Sequence, residues 1–308
     1  MSSSPSPRSG PKPYEVAPAR RQGALAFDLA QIEPAIAGTQ FAGHVHHLAT
    51  TPSTNTLALE AAQQNVATGV WVADEQTAGR GRGGHTWHST PGDGLYVSIL
   101  TRPRLFGADA LKLSLAAGLA AHQAISQTTG ADINLRWPND LMLTGPDPGP
   151  DAVEKKFGGI LTESSMEGGS AGALAYAVIG IGMNLNRSAL PADLSPIATS
   201  LRIVLGHPVS REAILSALLR ALESEIALLE AETSGTRSPN TAPLALRFER
   251  ASTWVRNLRV HVDEQGGYTG FTAGLDPQGL LQVRLDDGTT RTVRHGGVRR
   301  ALPLSLAP

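Results

Sequence analysis

From about Trp254 onward the hydrophobic pattern changes period, and that change divides the chain. Downstream, short β-type runs alternate with Gly/Asp turns: Leu258 to Val262, Glu264 to Gly267, Tyr268 to Leu275, Leu280 to Leu285 and Thr289 to Arg294. Asp276-Pro277-Gln278-Gly279 and Asp286-Asp287-Gly288 separate the later ones. Four or five short strands over roughly 50 residues predict a small β-barrel. Upstream, strand-type and helix-type patterns are mixed. Helices are expected over AFDLAQIEPAI, stopping near Gly38, and over 52–64, where Ser53, Thr54 and Asn55 are candidate N-caps. Two more are expected from Ala110 to Thr128, ending at Gly130, and over 210–232, with apolar side chains at 214, 215, 218, 219, 222, 226 and 229. Strands are expected at Val45 to Leu48, 70–76, 95–103 and 133–140, in FGGILTESS and over 173–186, the last two joined by a hairpin across Glu167-Gly168-Gly169. The stretch 144–155 reads as a surface loop. The expected fold is α+β: a mixed-sheet domain over 23–250 and a small barrel over 251–308. Residues 1–22, rich in Ser, Pro and Arg, cannot bury a core and are expected to form a disordered tail.

Composition excludes several classes. The 308 residues carry 26 Lys+Arg against 27 Asp+Glu, a net charge of −1, which is too balanced for a protein holding nucleic acid through bulk charge. The absence of cysteine removes disulfides, thiolate zinc sites and thiol nucleophiles together. No apolar run reaches the ~18 residues a membrane helix needs, and the N-terminus has no apolar signal core, so a cytoplasmic location is expected. Lysine occurs only at positions 12, 112, 155 and 156, which draws attention to any lysine within a motif.

Four segments carry chemistry. In AGRGRGGHTW (78–87), glycines 79, 81, 83 and 84 allow backbone N–H groups to converge, while Arg80 and Arg82 add two permanent charges with no acid inside the loop. This suits a phosphate or carboxylate; the plain alternative is a mobile Gly-rich surface loop. Trp87 is either a hydrophobic anchor or an aromatic face for a ring. No Lys-Ser or Lys-Thr follows, so the segment is not a Walker loop. In RWPND (136–140), Pro138 keeps Trp137 extended and presents Asn139 and Asp140 at a strand end, for a metal, a proton or a base edge, or simply as an Asx turn. In KKFGGIL (155–161), Lys156 at a strand entrance can face a bound anion or solvent. In VIGIGMNLN (178–186), Asn184 closes an apolar run and needs a backbone or ligand partner. His46 and His47 fall on opposite strand faces, and nothing is spaced to complete a zinc site with them.

In this order, Ser-Thr-Asn (53–55), EQTAGRGRGGHTW (75–87), RWPNDL (136–141), KFGGIL (156–161) and VIGIGMNLN resemble the biotin protein ligase family, over roughly residues 40–300. The resemblance implies a catalytic domain of biotin/lipoate ligase type followed by an SH3-like barrel. It implies formation of biotinyl-adenylate from biotin and ATP with Mg2+, then transfer to a lysine of a carboxylase carrier domain, the biotin carboxyl carrier protein. It matches Ser53, Thr54 and Asn55 to the ureido pocket, and Gln76, Gly79, Arg80, Gly81 and Arg82 to the loop over biotin and adenylate. Trp87 matches an aromatic at the ligand, Lys156 the lysine near carboxyl and phosphate, and Gly159 and Ile160 the same pocket. Asn139, Asp140 and Asn184 match the nucleotide and metal side, with Asp140 also a candidate for proton transfer and for holding Mg2+. Where the family loop often has a third basic residue, this chain has Gly83, from which altered loop mobility is expected. Too few residues precede the first strand for a helix-turn-helix domain, so no DNA-binding role is expected, and the chain is read as a monomer or homodimer. The rival readings are a lipoate or octanoate ligase and a non-catalytic biotin binder of the same fold.

Overall fold

In the computed structural model, which describes residues 27–145, 153–168, 172–264 and 266–301, the strand-type runs that precede Trp254 assemble into one sheet. The expected N-terminal tail, the tip of the 166–174 connection at Gly169 and most of the 144–155 loop lie outside the described residues. In chain order the elements are α1 (Leu29–Ala35), β1 (Val45–Thr51), α2 (Thr54–Gln63), β2 (Gly69–Gln76), β3 (Gly94–Thr101), α3 (Ala110–Thr129), β4 (Asn134–Arg136), β5 (Asp140–Thr144), β6 (Glu154–Met166) and β7 (Leu174–Asn184). They continue with α4 (Leu201–Leu205), α5 (Arg211–Thr233), α6 (Leu244–Arg250), β8 (Arg256–Val262), β9 (Tyr268–Leu275), β10 (Leu281–Leu285), β11 (Thr290–Thr292) and β12 (Val298–Arg300).

The first sheet has the order β1-β2-β3-β7-β6-β5-β4; β1 and β2 run parallel and every other pair is antiparallel. All eight residues of β3 are buried, as a central strand covered on both faces requires. On one face α3 and α5 bury Leu113, Leu115, Ile125, Leu218 and Leu222 against Phe157, Ile179 and Met183. On the other, α2 covers Leu100 and Val178 with Ala58 and Ala62. Ser98, Gly180 and Gly182 continue this second face by the two-residue alternation of strands, so the functional site opens at the start of α2.

Several helix ends follow their chemistry. Gly130 terminates α3 with φ +70°, and the Ser210 hydroxyl accepts from Ala213 N–H at 3.1 Å at the start of α5. Ser53 holds the cap position of α2 but its side chain caps nothing, contrary to the expectation for this turn. The polar side chains of residues 53–55 are thereby left for other partners.

The second sheet is antiparallel throughout, in the order β11-β10-β9-β8-β12. The expected barrel is not closed: among the described residues no ladder joins β11 to β12, each only three residues long. Strand β12 and helix α6 went unread in the sequence because each is short and buries little, α6 only Leu244 and Phe248. The two sheets meet at Trp137, whose indole N–H donates to the Gly279 carbonyl at 2.9 Å. Gly279 has φ +82°, and a Cβ there would lie 2.8 Å from Leu115 Cδ1, so this close approach requires glycine. Among the described residues no helix is long and apolar enough to cross a membrane.

Candidate active site

Glycines make the floor. Gly159 on β6 pairs with Gly182 on β7, and Gly180 lies two residues back on the same face. A Cβ on Gly180 would stand 2.1 Å from Asn55 Oδ1, and one on Gly182 would stand 2.7 Å from the Trp87 ring. These positions stay without side chains so that α2 and the Gly/Arg loop can close over the strands.

The loop is itself a small hairpin. Arg80 bridges Thr86, Gly81 N–H donates to His85 O at 2.7 Å, and Trp87 N–H donates to Gly79 O at 2.9 Å. Gly79 is buried at the base of this hairpin, where a Cβ would meet Trp87 O at 2.7 Å, and it lines neither cavity described below. Gly83 and Gly84 have φ of +63° and +80°. The position that is often basic in the family loop thus adopts the left-handed conformation, which glycine takes without strain.

A polar network lines the inner end. Gln76 Oε1 accepts from Thr54 N–H at 2.9 Å and from Thr54 Oγ1 at 3.0 Å, while Gln76 Nε2 donates to Ser89 Oγ at 3.2 Å. The fully buried Ser98 hydroxyl lies 2.7 Å from Thr54 Oγ1 and bonds Asn55 Oδ1. Asn55 Nδ2 donates to Glu163 Oε2 at 2.8 Å, and the same oxygen receives Arg80 Nη2 at 2.7 Å. The loop holds no acid of its own, yet Arg80 finds one on β6.

At the outer end the charges cluster on Asp140. Lys156 Nζ lies 2.6 Å from its Oδ1; Arg136 donates to its Oδ2 through Nε at 3.0 Å and also through Nη2. Burial pushes the Asp140 carboxyl up, but the Lys156 ammonium and Arg136 guanidinium outweigh it and hold the group below the usual carboxylate value. Lys156 is not at the strand entrance. It sits within β6 at a bulge, where Leu141 pairs with Gly158 but Met142 with Lys156, and the extra residue re-aims the side chain. Its ammonium stands 5.8 Å from the centroid of the Trp87 ring. The Trp87 indole N–H is buried with no protein acceptor among the described residues. Arg82 Nη1 donates to Asn139 Oδ1 at 3.0 Å, and the buried Asn184 donates to Thr199 O at 3.2 Å.

Two cavities share a seam here. The inner one, about 50 Å³, is lined by Ser53, Thr54, Asn55, Gln76, Arg80 and Ile160 above the glycine floor. The outer one, about 340 Å³, is lined by Asp140, Asn184, Arg187, Leu194 and Ile197. Gly81, Arg82, Trp87, Asn139 and Lys156 line both. Every candidate read from the sequence except Gly79 therefore borders one cavity or both.

Magnesium fits less well than the sequence suggested. Both Asp140 oxygens are held by cations, and among the described residues no three His, Asp or Glu side chains gather to hold a metal. The donor set does not make a resident Mg2+ site on Asp140. Four residues were missed: Ser98, Glu163, Arg136 and Arg187. Glu163 and Arg187 find their partners far along the chain, whereas Arg136 lies within RWPND only four residues from its partner Asp140, a spacing that was visible in the sequence. The floor glycines had a visible signal, since VIGIGMN sets Gly180 and Gly182 two apart on one strand face. The histidines are accounted for by packing: His47 contacts Asp74 at 3.0 Å and stacks on Phe27, and His46 leans on Trp71.

A mixed sheet with a Gly/Arg hairpin and a lysine at a two-cavity seam accords with a ligase of the biotin/lipoate class, and the model of the Biotin/lipoate A/B protein ligase family matches residues 48–184. The bifunctional ligase/repressor BirA of Bacillus subtilis is 32% identical over 240 residues, covering 77% of this chain and 68% of that protein. The biotin–[acetyl-CoA-carboxylase] ligase of Mycobacterium tuberculosis is 32% identical over 259 residues, covering 82% and 86%. The solved biotin protein ligase of Aquifex aeolicus, in complex with biotin and ATP, matches with a TM-score of 0.67 at 25% identity, covering 84% of this chain and all of that one. The chain belongs to the biotin protein ligase family, and it is a ligase.

Proposed function

We propose that this ligase activates biotin with ATP and transfers it to a lysine of a biotin carboxyl carrier domain, in acetyl-CoA carboxylase or a related carboxylase. The observation that carries the reading is the seam: Arg82 and Lys156 border both cavities, so two anions bound side by side meet beneath two cations. In the first step a biotin carboxylate oxygen attacks the α-phosphorus, a P–O bond forms, and the bond to pyrophosphate breaks. In the second the acceptor amine attacks the acyl carbon, the bond to the adenylate oxygen breaks, AMP leaves and the amine loses a proton. Mutual repulsion of carboxylate and triphosphate is the main obstacle, and fixed positive charge at their meeting point is the remedy. Magnesium arrives with the nucleotide as part of the substrate.

The inner cavity favours biotin over lipoate. Its end presents Thr54, Asn55 and Gln76, hydrogen-bonding groups that a ureido ring can engage and a dithiolane cannot. Ser53 belongs to the same end, and Gly159 and Ile160 to the apolar wall. Arg80 and Gly81 cover the ligand, Trp87 offers its ring and free N–H, and Asn139 and Asn184 face the nucleotide. Asp140 is the charge partner that aims Lys156. A carboxylate held below its usual pKa is a weak base, so the geometry favours this role over proton transfer. The test is pyrophosphate release: biotin with ATP should give it and lipoate should not, while equal release with lipoate would refute the biotin assignment.

A further inference from the structure

The Asp140 cluster reaches across to the second sheet through a tryptophan that no motif contains. The chain leaves α6 along the edge strand β4: Leu135 N–H donates to Ala251 O at 3.2 Å, Thr253 N–H to Asn134 Oδ1 at 3.0 Å, and Ser252 Oγ to Leu135 O. This pairing sets Trp254, 5% exposed, beside the strand that ends in Arg136. The Arg136 guanidinium lies over the Trp254 ring at 5.2 Å from its centroid, and the Arg300 guanidinium of β12 lies over it at 5.3 Å. Trp254 Nε1–H donates to Glu154 Oε2 at 2.6 Å, and Arg300 Nη2 stands 3.6 Å from the same oxygen.

Charge counting gives this arrangement a purpose. Lys156, Asp140 and Arg136 together carry +1. Without Arg136 at its post, Lys156 and Asp140 sum to zero and the outer cavity loses its pull on a polyphosphate. An acid would hold Arg136 but cancel its charge, whereas an aromatic face holds it and leaves the charge intact. Glu154, the nearby acid, is engaged by the Trp254 N–H, Asn134 and Arg300. We propose that Trp254 is a positioning residue for the nucleotide: by fixing Arg136 on Asp140 Oδ2 it keeps Lys156 and its surroundings net positive toward the ATP phosphates. This rests on the assignment of the outer cavity to ATP.

The experiment measures ATP binding directly by calorimetric titration of the full chain with Mg-ATP, and in parallel the KM for ATP and for biotin from pyrophosphate release. Variants are Trp254→Phe, Trp254→Leu, Arg136→Gln and the double Trp254→Leu/Arg136→Gln, each checked by thermal melt. Trp254→Leu and Arg136→Gln should each weaken ATP by about three- to tenfold with the biotin KM unchanged, and Trp254→Phe should stay within about twofold of wild type. The double variant should be no worse than Arg136→Gln alone, because both act through one group. A folded Trp254→Leu with wild-type ATP affinity, an equal rise in both KM values, or an additive double variant overturns the proposal. If Trp254→Leu does not fold, unchanged ATP affinity in Arg136→Gln overturns it equally. Titration separates the two levels: a wild-type chain that binds ATP but releases no pyrophosphate with biotin refutes the proposed reaction, while the Trp254 comparison still stands on binding.

Discussion

Asp140 carries two cations on two different oxygens, which fixes how the site responds to pH. Its carboxyl is held below the usual range, so the stability it contributes is complete above the unfolded value of about 4 and is lost as pH falls through the lower folded value. Thermal melts of wild type should therefore fall more steeply below about pH 4 than those of Asp140→Asn, with no difference in slope from pH 5 to 8. Lys156 borders both cavities, and Lys156→Gln should lower kcat/KM for pyrophosphate release by about 100-fold or more, with a melt that falls modestly because Asp140 keeps only Arg136 as a cationic partner. Arg82, Lys156 and the Ser-Thr-Asn turn were legible in the sequence because each lies in a motif of fixed order. Glu163 and Ser98 were not. Each is an ordinary polar residue in a strand, and only the fold brings Arg80 across 83 positions to Glu163 and Asn55 across 43 to Ser98.

Among the elements, β7 and the Gly/Arg hairpin decide whether the inner cavity can accept a ligand. At about 50 Å³ it is far below the roughly 300 Å³ typical of a ligand pocket, and Arg80 of the hairpin is tied to Glu163 of β6 at its inner end. Biotin entry therefore requires the hairpin to lift and close again. Hydrogen exchange at the Gly81 and Trp87 amides should be measurable without ligand and slow markedly with biotin and ATP; protection already complete without ligand would count against this opening. The floor has no slack: Gly182→Ala should impose about 1–3 kcal/mol of overpacking against Trp87 and weaken biotin binding, measurable by titration. Helices α3 and α5 were readable from their apolar period and terminal residues. The start of α2 was read at the right place, with Ser53 at the cap position, but the use of its side chains was not. Ser, Thr and Asn suit a cap and a ligand pocket equally well, and the partners Gln76, Ser98 and Glu163 draw Thr54 and Asn55 into the polar network.

For the molecule as a whole, the two sheets are joined where the site is built. Trp137, two residues before Asn139, bonds Gly279 in the β9–β10 turn of the second sheet, and Trp254 packs against Arg136, the chain neighbour of Trp137. Gly279→Val would place a branched side chain at φ +82° against Leu115 and should cost about 2–4 kcal/mol of stability, seen as a lowered melt of the entire chain in one transition. The change of period near Trp254 made the second unit visible in the sequence. Its open edge and its contact with the WPND turn were not visible, since short strands and single tryptophans leave no period to read. The most direct test of the assignment is intact-mass spectrometry of a biotin carboxyl carrier domain incubated with this protein, biotin, ATP and magnesium. The carrier should gain the mass of one biotinyl group, on a lysine, and only when ATP is present; a carrier left unmodified, while a control ligase modifies it under the same conditions, would contradict the assignment.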